Sequence, residues 1–406
     1  MNIALRNYVT ITGGYWAFTL TDGAIRMLVV LYFHQLGYSP FAVASLFLLY
    51  EFFGMITNLV GGYLASRLGL NVTMHIGMAM QIIALAMLTV PDTWLTVAYV
   101  MSAQALSGIA KDLNKMSAKA SVKTIVSTGA DAQLFKWVAV LTGSKNALKG
   151  AGFFLGAALL QWLDFRGALI ALSLFLLTTL IITFFLLPRD LGKAKEKPKF
   201  TQVFSQIAVI NWLSAARFFL FGARDVWFVV ALPVFLHSVL NWSFTEVGTF
   251  MALWVIGYGV IQASAPKLLR REGKAPQGLT ARNWAVVLCV IPAAMALALT
   301  FDYPPQIIVI VGLAVFGAVF AINSAVHSYL ILAYASGDKV AMNVGFYYMA
   351  NAGGRLIGTI LSGWGYQSYG LIGCLWISTA FIAMALLLSV HLPSTQEAAK
   401  KQTTSQ

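Results

Sequence analysis

The chain has 406 residues, of which 59% are hydrophobic and 10% charged, and its 27 Lys and Arg against 14 Asp and Glu give a formal net charge of +13. Soluble globular proteins are about 45–50% apolar and about 25% charged. This composition therefore excludes a soluble enzyme, a disordered chain and a disulfide-rich secreted domain. It predicts a polytopic membrane protein, in which the position of each charge matters more than the total.

Apolar segments of helical length follow one another along the whole chain. A bilayer crossing needs about 20 mostly apolar residues. On that basis we place twelve spans near residues 10–34, 42–64, 73–90, 94–115, 137–160, 167–187, 206–237, 246–265, 283–301, 306–334, 341–364 and 371–391. The sequence thus predicts an all-α membrane protein with twelve transmembrane helices.

A polar segment, PRDLGKAKEKPKFT at 188–201, follows the sixth span and divides the chain into two halves. We expect a six-helix bundle at 1–187, a cytoplasmic linker at 188–205, a second, pseudo-symmetric six-helix bundle at 206–393 and a cytoplasmic tail at 394–406. The ends of spans one and seven, LYFHQLGYS and LPVFLHSVLNWS, resemble each other weakly. Such repetition is typical of secondary transporters, whose substrate site lies between the repeats near the middle of the bilayer.

Lys and Arg are unevenly distributed between the loops. If the N-terminus is cytoplasmic, the outer loops contain Arg166 alone, and the other loop cations, from Arg67 to Lys401, lie on the inner side. Cytoplasmic loops are enriched in Lys and Arg, so we expect a multi-pass protein with both termini in the cytoplasm. Because orientation explains the basic linker, we expect no nucleic-acid partner.

The ionisable residues inside the spans form a pattern. Spans three, six, nine and twelve contain no Asp, Glu, Lys or Arg in their apolar cores. Other spans contain seven cations and four acids, namely Arg26, Lys111, Lys145, Lys149, Arg217, Arg224 and Arg355 with Asp22, Glu51, Asp112 and Asp225. A charge in mid-membrane costs roughly 2.5–3.5 kcal/mol on insertion scales. We therefore expect these residues to line a shared aqueous cavity, and the charge-free spans to face lipid.

The surplus of cations predicts an anionic ligand, because uncompensated buried positive charge is unfavourable. We predict that Arg26 and Arg224 bind a tetrahedral oxyanion, since the guanidinium fork matches its oxygens. The other substrate-binding candidates supply positive charge or neutral hydrogen bonds: Lys145, Lys149, Arg355, Asn146, Tyr347 and Asn351. Two separate alternatives stay open. In one, Asp22–Arg26 and Arg224–Asp225 are internal pairs that only stabilise the bundle; in the other, Arg217 extends to the inner interface.

The acids are candidates for proton coupling or charge pairing: Asp22, Glu51 and Asp225. Glu51 is the best proton carrier because its own helix has no cation in the apolar core, although a salt bridge to Arg26 explains it equally well. Lys111, Asp112 and Lys115 lie near the inner mouth and are predicted to belong to a cytoplasmic gate.

Enzymatic chemistry has no candidate residues in the sequence. The five histidines form no HExxH or similar ligand-spaced cluster. No nucleophile and base occur together near one interface. We therefore expect a protein that is not an enzyme and that has no catalytic residue, metal or cofactor. A membrane assembly factor is also disfavoured, because it would not need a cavity lined by charged residues.

The loop after span two reads Gly62-Tyr63-Leu64-Ala65-Ser66-Arg67-Leu68-Gly69. It resembles the cytoplasmic signature GxLaDrxGrr of the major facilitator superfamily. The matching positions imply gate roles for Gly62, Arg67 and Gly69. Ser66 stands where an Asp is usual, and Leu70-Asn71 replace a basic pair, so the charge relay of that family is altered here.

Longer segments resemble the ArsJ-type organoarsenical exporters of bacteria within that superfamily. They are YWAFTLTDGAIRMLVVLYFHQLGYSP (15–40), QALSGIAKDLNKMSAKASVK (104–123), LTGSKNALKGAGFFLG (141–156), LSAARFFLFGARDVWFVVALPVFL (213–236) and GFYYMANAGGRLIGTILSGW (345–364). The resemblance implies efflux of 1-arseno-3-phosphoglycerate across the inner membrane and arsenate resistance. It also implies a functional link to the glyceraldehyde-3-phosphate dehydrogenase that makes this ester, and we expect a lipid-embedded monomer.

The cysteines agree with a pentavalent substrate. Thiolates are the ligands suited to soft metal centres, and a carrier of trivalent arsenic is expected to cluster them. Cys289 and Cys374 instead lie singly in spans nine and twelve. An exchanger or importer of ordinary organophosphates would use the same cationic cavity, and composition does not separate it from the exporter.

Overall fold

A computed structural model describes residues 3–38, 46–124, 126, 130–188, 191–193, 204–269, 275–335 and 339–394, and the described residues contain helices and no strand. The helices are α1 Ile3–Gln35, α2 Leu48–Leu68, α3 Leu70–Met87, α4 Val97–Ser121, α5 Asp131–Leu186, α6 Ala208–Phe228, α7 Ala231–Ser238, α8 Phe244–Leu268, α9 Gly278–Thr300, α10 Pro305–Tyr334 and α11 Val340–Ser389. Short 3-10 turns lie at Asp92–Trp94 and Val122–Thr124. The predicted all-α architecture is confirmed.

Two of the helices are interrupted near the middle and supply two crossings each. In α5 the break is at Asp164, with φ 56° and ψ 176°, and in α11 it is at Gly370, with φ 63° and ψ −165°. Both residues adopt a left-handed extended conformation that is almost exclusive to glycine. The same rare geometry at the same place in each half is a structural trace of the predicted repeat.

The described residues contain nine segments that are long and apolar enough to cross a membrane. Since α5 and α11 each cross twice, these segments provide eleven crossings. The twelfth is α4, which has helical length but carries four charged residues: Lys111, Asp112, Lys115 and Lys119. Twelve crossings agree with the prediction.

One crossing, Ala208–Ser238, consists of α6 and α7 separated by a short break. Pro233 lies in the first turn of α7, and a proline ring clashes with the carbonyl four residues earlier. The Ser362 hydroxyl accepts hydrogen bonds from the backbone N–H groups of Val230 and Ala231, at 3.3 and 3.1 Å. The side chain thus satisfies donors that the break exposes.

The chain divides into two compact units. The first comprises Met1–Ser127, Ser144–Phe204 and Gly337–Met349, and the second comprises Thr128–Gly143, Ser205–Ser336 and Ala350–Gln406. The core of the first unit includes Phe33, Leu85 and Phe165, and that of the second is built around Trp227, Phe316 and Phe320. Most of the linker at 188–205 and of the tail at 394–406 lies outside the described residues, so the predicted domain boundaries stay a prediction.

The second arm of α5, which is the predicted sixth span, presents large apolar side chains to the surroundings. Phe184 and Phe185 are among its exposed residues, together with Ile170, Leu174, Ile181 and Ile182. By contrast, nearly all residues from Val319 to Tyr334 in α10 are buried. The second arm of α5 has no charged residue in its apolar core and exposes apolar side chains, as expected of a lipid-facing helix.

Candidate functional site

Asp22 and Lys149 face each other in the first unit where α1 and α5 approach closely. A Cβ placed on Gly23 would lie 2.6 Å from the Lys149 carbonyl oxygen and 3.0 Å from the Cα of Gly152. Only glycines allow this approach. The Lys149 Nζ lies 3.9 Å from Asp22 Oδ2, and the Tyr50 hydroxyl donates a 2.6 Å hydrogen bond to Asp22 Oδ1.

Arg26, one turn after Asp22, pairs with an acid from a different helix. Its Nη2 donates a 2.8 Å hydrogen bond to Glu51 Oε1 on α2. Arg26 therefore forms the alternative salt bridge, with Glu51, and not the predicted internal pair with Asp22. Asp22 and Arg26 share one helix face, but that face meets α2 and α5, whose side chains provide the closer partners.

The three charged residues predicted near the inner mouth form one cluster on α4. Asp112 is buried, accepts a hydrogen bond from the Lys115 ammonium group and lies 3.6 Å from the Lys111 Nζ. A Cβ on Gly54 of α2 would lie 2.6 Å from the Asp112 carboxylate, so this glycine makes room for the acid. Lys115 also lies over the ring of Tyr348, at 4.9 Å.

The remaining first-unit candidates lie near these groups with fewer described contacts. The Lys145 Nζ is 3.4 Å from the amide oxygen of its neighbour Asn146. Tyr347 is buried and packs edge-on against Tyr348, with 5.0 Å between the ring centres. Their roles in substrate binding stay predictions.

The predicted signature loop at 62–69 is helical up to Leu68, where α2 ends, and Gly69 alone separates it from α3. A Cβ on Gly62 would lie 2.5 Å from the Ala341 carbonyl oxygen, and Gly69 has a φ of 99°. Arg67 donates a 2.5 Å hydrogen bond to the Tyr63 hydroxyl. The gate roles of Gly62, Arg67 and Gly69 stay predictions.

Two of the three substituted signature positions have a structural partner in the chain that follows α5. The Leu70 N–H donates to the Leu191 carbonyl at 2.8 Å, and the Asn71 amide donates to the Pro188 carbonyl at 2.6 Å. The positions that usually carry a basic pair here anchor the start of the linker.

In the second unit, one buried carboxylate joins two arginines. Asp225 is 0% exposed. Its Oδ1 accepts from Arg224, with 2.6 Å to Nε and 2.5 Å to Nη2, and its Oδ2 accepts from Arg355 Nε of α11 at 2.9 Å. The predicted pair Arg224–Asp225 is present, and Arg355 shares the same acid.

Glycines again bring the two helices together at this point. A Cβ on Gly358 would lie 2.6 Å from the Gly222 carbonyl oxygen and 3.1 Å from the Asp225 Cβ. A Cβ on Gly354 would lie still closer to the backbone of Phe218. The α6–α11 contact at Asp225 and Arg355 repeats the α1–α5 contact at Asp22 and Lys149, with an acid on the first helix of each half and a cation on the fifth.

Arg217 does not extend to the inner interface as one alternative expected. It is 3% exposed, and its Nε donates to Asn351 Oδ1 at 2.9 Å. Its Nη1 donates to the carbonyl and hydroxyl oxygens of Ser324, at 3.3 and 3.2 Å, and the Gln262 amide donates to the same hydroxyl at 3.0 Å. A polar network from α8, α10 and α11 keeps the arginine inside the unit, and sequence spacing did not indicate Ser324.

The two clusters have the same electrostatic character. The first contains five cations and three acids, Arg26, Lys111, Lys115, Lys145 and Lys149 with Asp22, Glu51 and Asp112, and the second contains three arginines with Asp225. The side chains of Arg26 and Lys149 are 21% exposed and that of Arg355 is 37% exposed, so these cations are only partly enclosed by the protein. Partly exposed cations in excess of acids attract anions.

The described residues offer no metal site. They contain no group of three or more His, Cys, Asp or Glu arranged to hold a metal ion. The thiols of Cys289 and Cys374 lie against different carbonyls, those of Thr379 and Ser362.

Comparison with known proteins gives a consistent result. A sequence profile of the Major Facilitator Superfamily matches residues 11–325. The human organic anion transporter MFSD10 (TETRAN) superposes with a TM-score of 0.77 at 16% identity, covering 96% of this chain and 100% of that one. A comparison with curated protein sequences found no match.

Two further solved structures are similar over nearly their whole length. A bacterial homologue of the iron transporter ferroportin, in an outward-facing state, has a TM-score of 0.74 at 14% identity, covering 96% of this chain and 99% of that one. The proton:xylose symporter XylE has a TM-score of 0.74 at 14% identity, covering 97% of this chain and 96% of that one. At these identities the similarity shows a common fold.

Proposed function

The chain belongs to the major facilitator superfamily and is a multi-pass membrane transporter, and we propose that it exports the organoarsenical anion 1-arseno-3-phosphoglycerate. Export takes place across the bacterial inner membrane by alternating access and confers resistance to arsenate. The chain acts as a monomer with both termini in the cytoplasm. A glyceraldehyde-3-phosphate dehydrogenase supplies the substrate by using arsenate in place of phosphate.

The observation that carries this proposal is the excess of cations in two clusters, each organised around buried carboxylates. Asp225 holds Arg224 and Arg355, and Asp22 lies against Lys149. Arginine binds phosphate and arsenate oxygens with paired hydrogen bonds. A substrate with a phosphate at one end and an arsenate at the other carries two oxyanions for arginine and lysine to bind. Lys145, Asn146, Tyr347 and Asn351 complete the set of substrate-binding residues.

Within this proposal, Glu51 carries the coupling proton. The carboxylate accepts a hydrogen bond from Arg26 and its side chain is 37% exposed. Protonation of Glu51 removes the negative charge that competes with substrate for Arg26. Binding of a proton and binding of an anion are then linked at one arginine, so a pH gradient changes the rate of anion transport.

The cytoplasmic gate consists of the α4 cluster and the signature loop. Asp112 joins Lys111 to Lys115, and Lys115 lies over the ring of Tyr348. Gly62 allows close backbone contact with Ala341 and Gly345. These contacts with the start of α11 are the ones that must break and reform during the transport cycle.

Uptake of freshly synthesised arsenoester into everted membrane vesicles tests the function directly. We expect uptake that depends on the chain, that 3-phosphoglycerate inhibits only weakly, and that responds to an imposed or collapsed pH gradient. Transport of 3-phosphoglycerate without movement of the arsenoester would contradict the proposed substrate and favour an exchanger or importer of organophosphates. Vesicles carrying Asp92→Asn, a change in an exposed pair with Arg166, serve as the matched control.

A further inference from the structure

A single aromatic ring contacts two cations in each unit. In the first unit, the ring centre of Tyr50 lies 4.0 Å from the Arg26 Cζ and 3.9 Å from the Lys111 Nζ. In the second, the ring centre of Phe221 lies 3.7 Å from the Arg217 Cζ and 5.1 Å from the Arg224 Cζ. Both rings are buried, at 0% and 7% exposure.

We propose that Tyr50 and Phe221 are positioning residues, which hold two cations together in each cluster while leaving their positive charge available to an anionic substrate. This inference rests on the proposed function, in that the substrate is an anion. Two neighbouring cations repel each other and need a compensating group. Each cluster already contains carboxylates paired with its cations, and a further carboxylate between the two cations would compete with the substrate. The face of an aromatic ring attracts cations through its quadrupole and carries no net charge.

The first unit fixes Tyr50 from several directions. The hydroxyl donates to Asp22, which anchors the ring beside α1. A Cβ on Gly108 of α4 would lie 2.9 Å from the Tyr50 Cα, so this glycine lets α4 pack directly on the Tyr50 backbone. Lys111, three residues after Gly108, shares its helix face and reaches the ring. Tyr50 thereby connects the predicted gate cluster to Arg26.

The second unit achieves the same arrangement within one helix. Arg217, Phe221 and Arg224 occupy positions i, i+4 and i+7 of α6 and lie on one face. The Phe221 ring also packs against Phe320, with 5.0 Å between ring centres. The two units therefore place one ring against two cations in different ways, across three helices in the first unit and within one helix in the second. This recurrence indicates that the cation–ring contact itself matters to both clusters.

Affinity measurements on purified protein test the proposal, with 3-phosphoglycerate, inorganic phosphate and the arsenoester as probes. For Tyr50→Leu and for Phe221→Leu we expect the Kd of each bound anion to rise about tenfold, the effect of losing one or two desolvated cation–π contacts. Phe221→Tyr retains the ring and restores affinity to within about twofold. Tyr50→Phe retains the ring but loses the bond to Asp22, with a rise of about threefold.

Matched controls remove an equally buried ring elsewhere in the same unit. The described ring contacts of Phe33 are with Tyr32, Tyr38 and Phe165, and those of Phe316 are with Trp227 and Phe320. Phe33→Leu and Phe316→Leu lower the thermal unfolding midpoint without changing Kd. Equal Kd changes in the control and test variants would overturn the proposal, as would unchanged Kd in both leucine variants.

Different results would overturn the role of the two rings and the proposed substrate. Binding of 3-phosphoglycerate or phosphate but not of the arsenoester removes the proposed substrate, and the comparison of leucine and aromatic variants still tests the rings. Binding of no anion by the wild-type chain removes both proposals.

Discussion

Arg355 of α11 donates a 2.9 Å hydrogen bond to the carboxylate of Asp225 on α6, and the same carboxylate accepts from Arg224. One buried acid thus positions two arginines without neutralising both. This arrangement reconciles the cost of burying charge with the need for an anion-binding group, because the acid orients the guanidinium groups and the surplus charge remains. A substrate oxyanion then competes with Asp225 for the arginines.

Replacing this acid tests the competition. We expect Asp225→Asn to lower the KM for the anion about fivefold, since the internal competitor of the substrate loses its charge, and to slow turnover because the anion is released more slowly. The free energy of unfolding falls by about 1–3 kcal/mol as charged hydrogen bonds are lost. Transport kinetics in vesicles and thermal unfolding measure both effects. A raised KM would contradict the competition.

The glycine contact beside Arg355 is a second test. A Cβ on Gly354 would lie 2.8 Å from the Phe218 Cα, whereas one on Gly363 in the same helix would meet no heavy atom within 4 Å. We expect Gly354→Ala to destabilise the protein by about 1–3 kcal/mol through overpacking and to reduce transport several-fold. Gly363→Ala should preserve transport and raise stability slightly. Equal effects of the two changes would show that close packing of α6 and α11 is not required.

The strained residue in α5 leads to a stability prediction. Asp164 has the φ and ψ that Gly370 has in α11, and such a conformation costs a residue with a side chain about 1–3 kcal/mol. We expect Asp164→Gly to raise the free energy of unfolding by about 1 kcal/mol. Asp164→Ala retains the strain and serves as the control. The midpoint of thermal unfolding measures the change, and a lower midpoint for the glycine variant than for the alanine variant would refute the assignment of strain.

Glu51 is the test of proton coupling. We expect Glu51→Gln to transport the anion without a response to an imposed pH gradient, because the side chain that exchanges with a proton is gone. The pair with Arg26 also loses its charge, so affinity for the anion increases. Initial rates at several imposed gradients measure the effect. A variant with the same gradient dependence as wild type would assign coupling to another group.

Hydropathy and charge were sufficient to predict the architecture. Twelve crossings follow from apolar length, and their number was correct even where a break at Asp164 or Gly370 joins two crossings into one helix. The concentration of Arg and Lys in particular spans also identified the residues that the structure places in two clusters.

The partners within the clusters were harder to predict. Helical spacing places Asp22 and Arg26 on one face, but it does not reveal what faces them. Glu51 of α2 pairs with Arg26. Asp22 is contacted by Tyr50 of α2 and by Lys149 of α5. Phe221 was detectable in principle, because it lies between Arg217 and Arg224 on one helix face. Tyr50 was not, since its two cations come from α1 and α4.

The most direct test of the account compares initial rates of arsenoester uptake into everted vesicles for the wild-type chain and for Arg26→Gln and Arg224→Gln, at equal amounts of inserted protein. We predict that each substitution lowers the rate at limiting substrate by at least about tenfold, because a charge-assisted hydrogen bond to an oxyanion is lost. Wild-type rates in both variants would contradict the claim that these cations bind the transported anion.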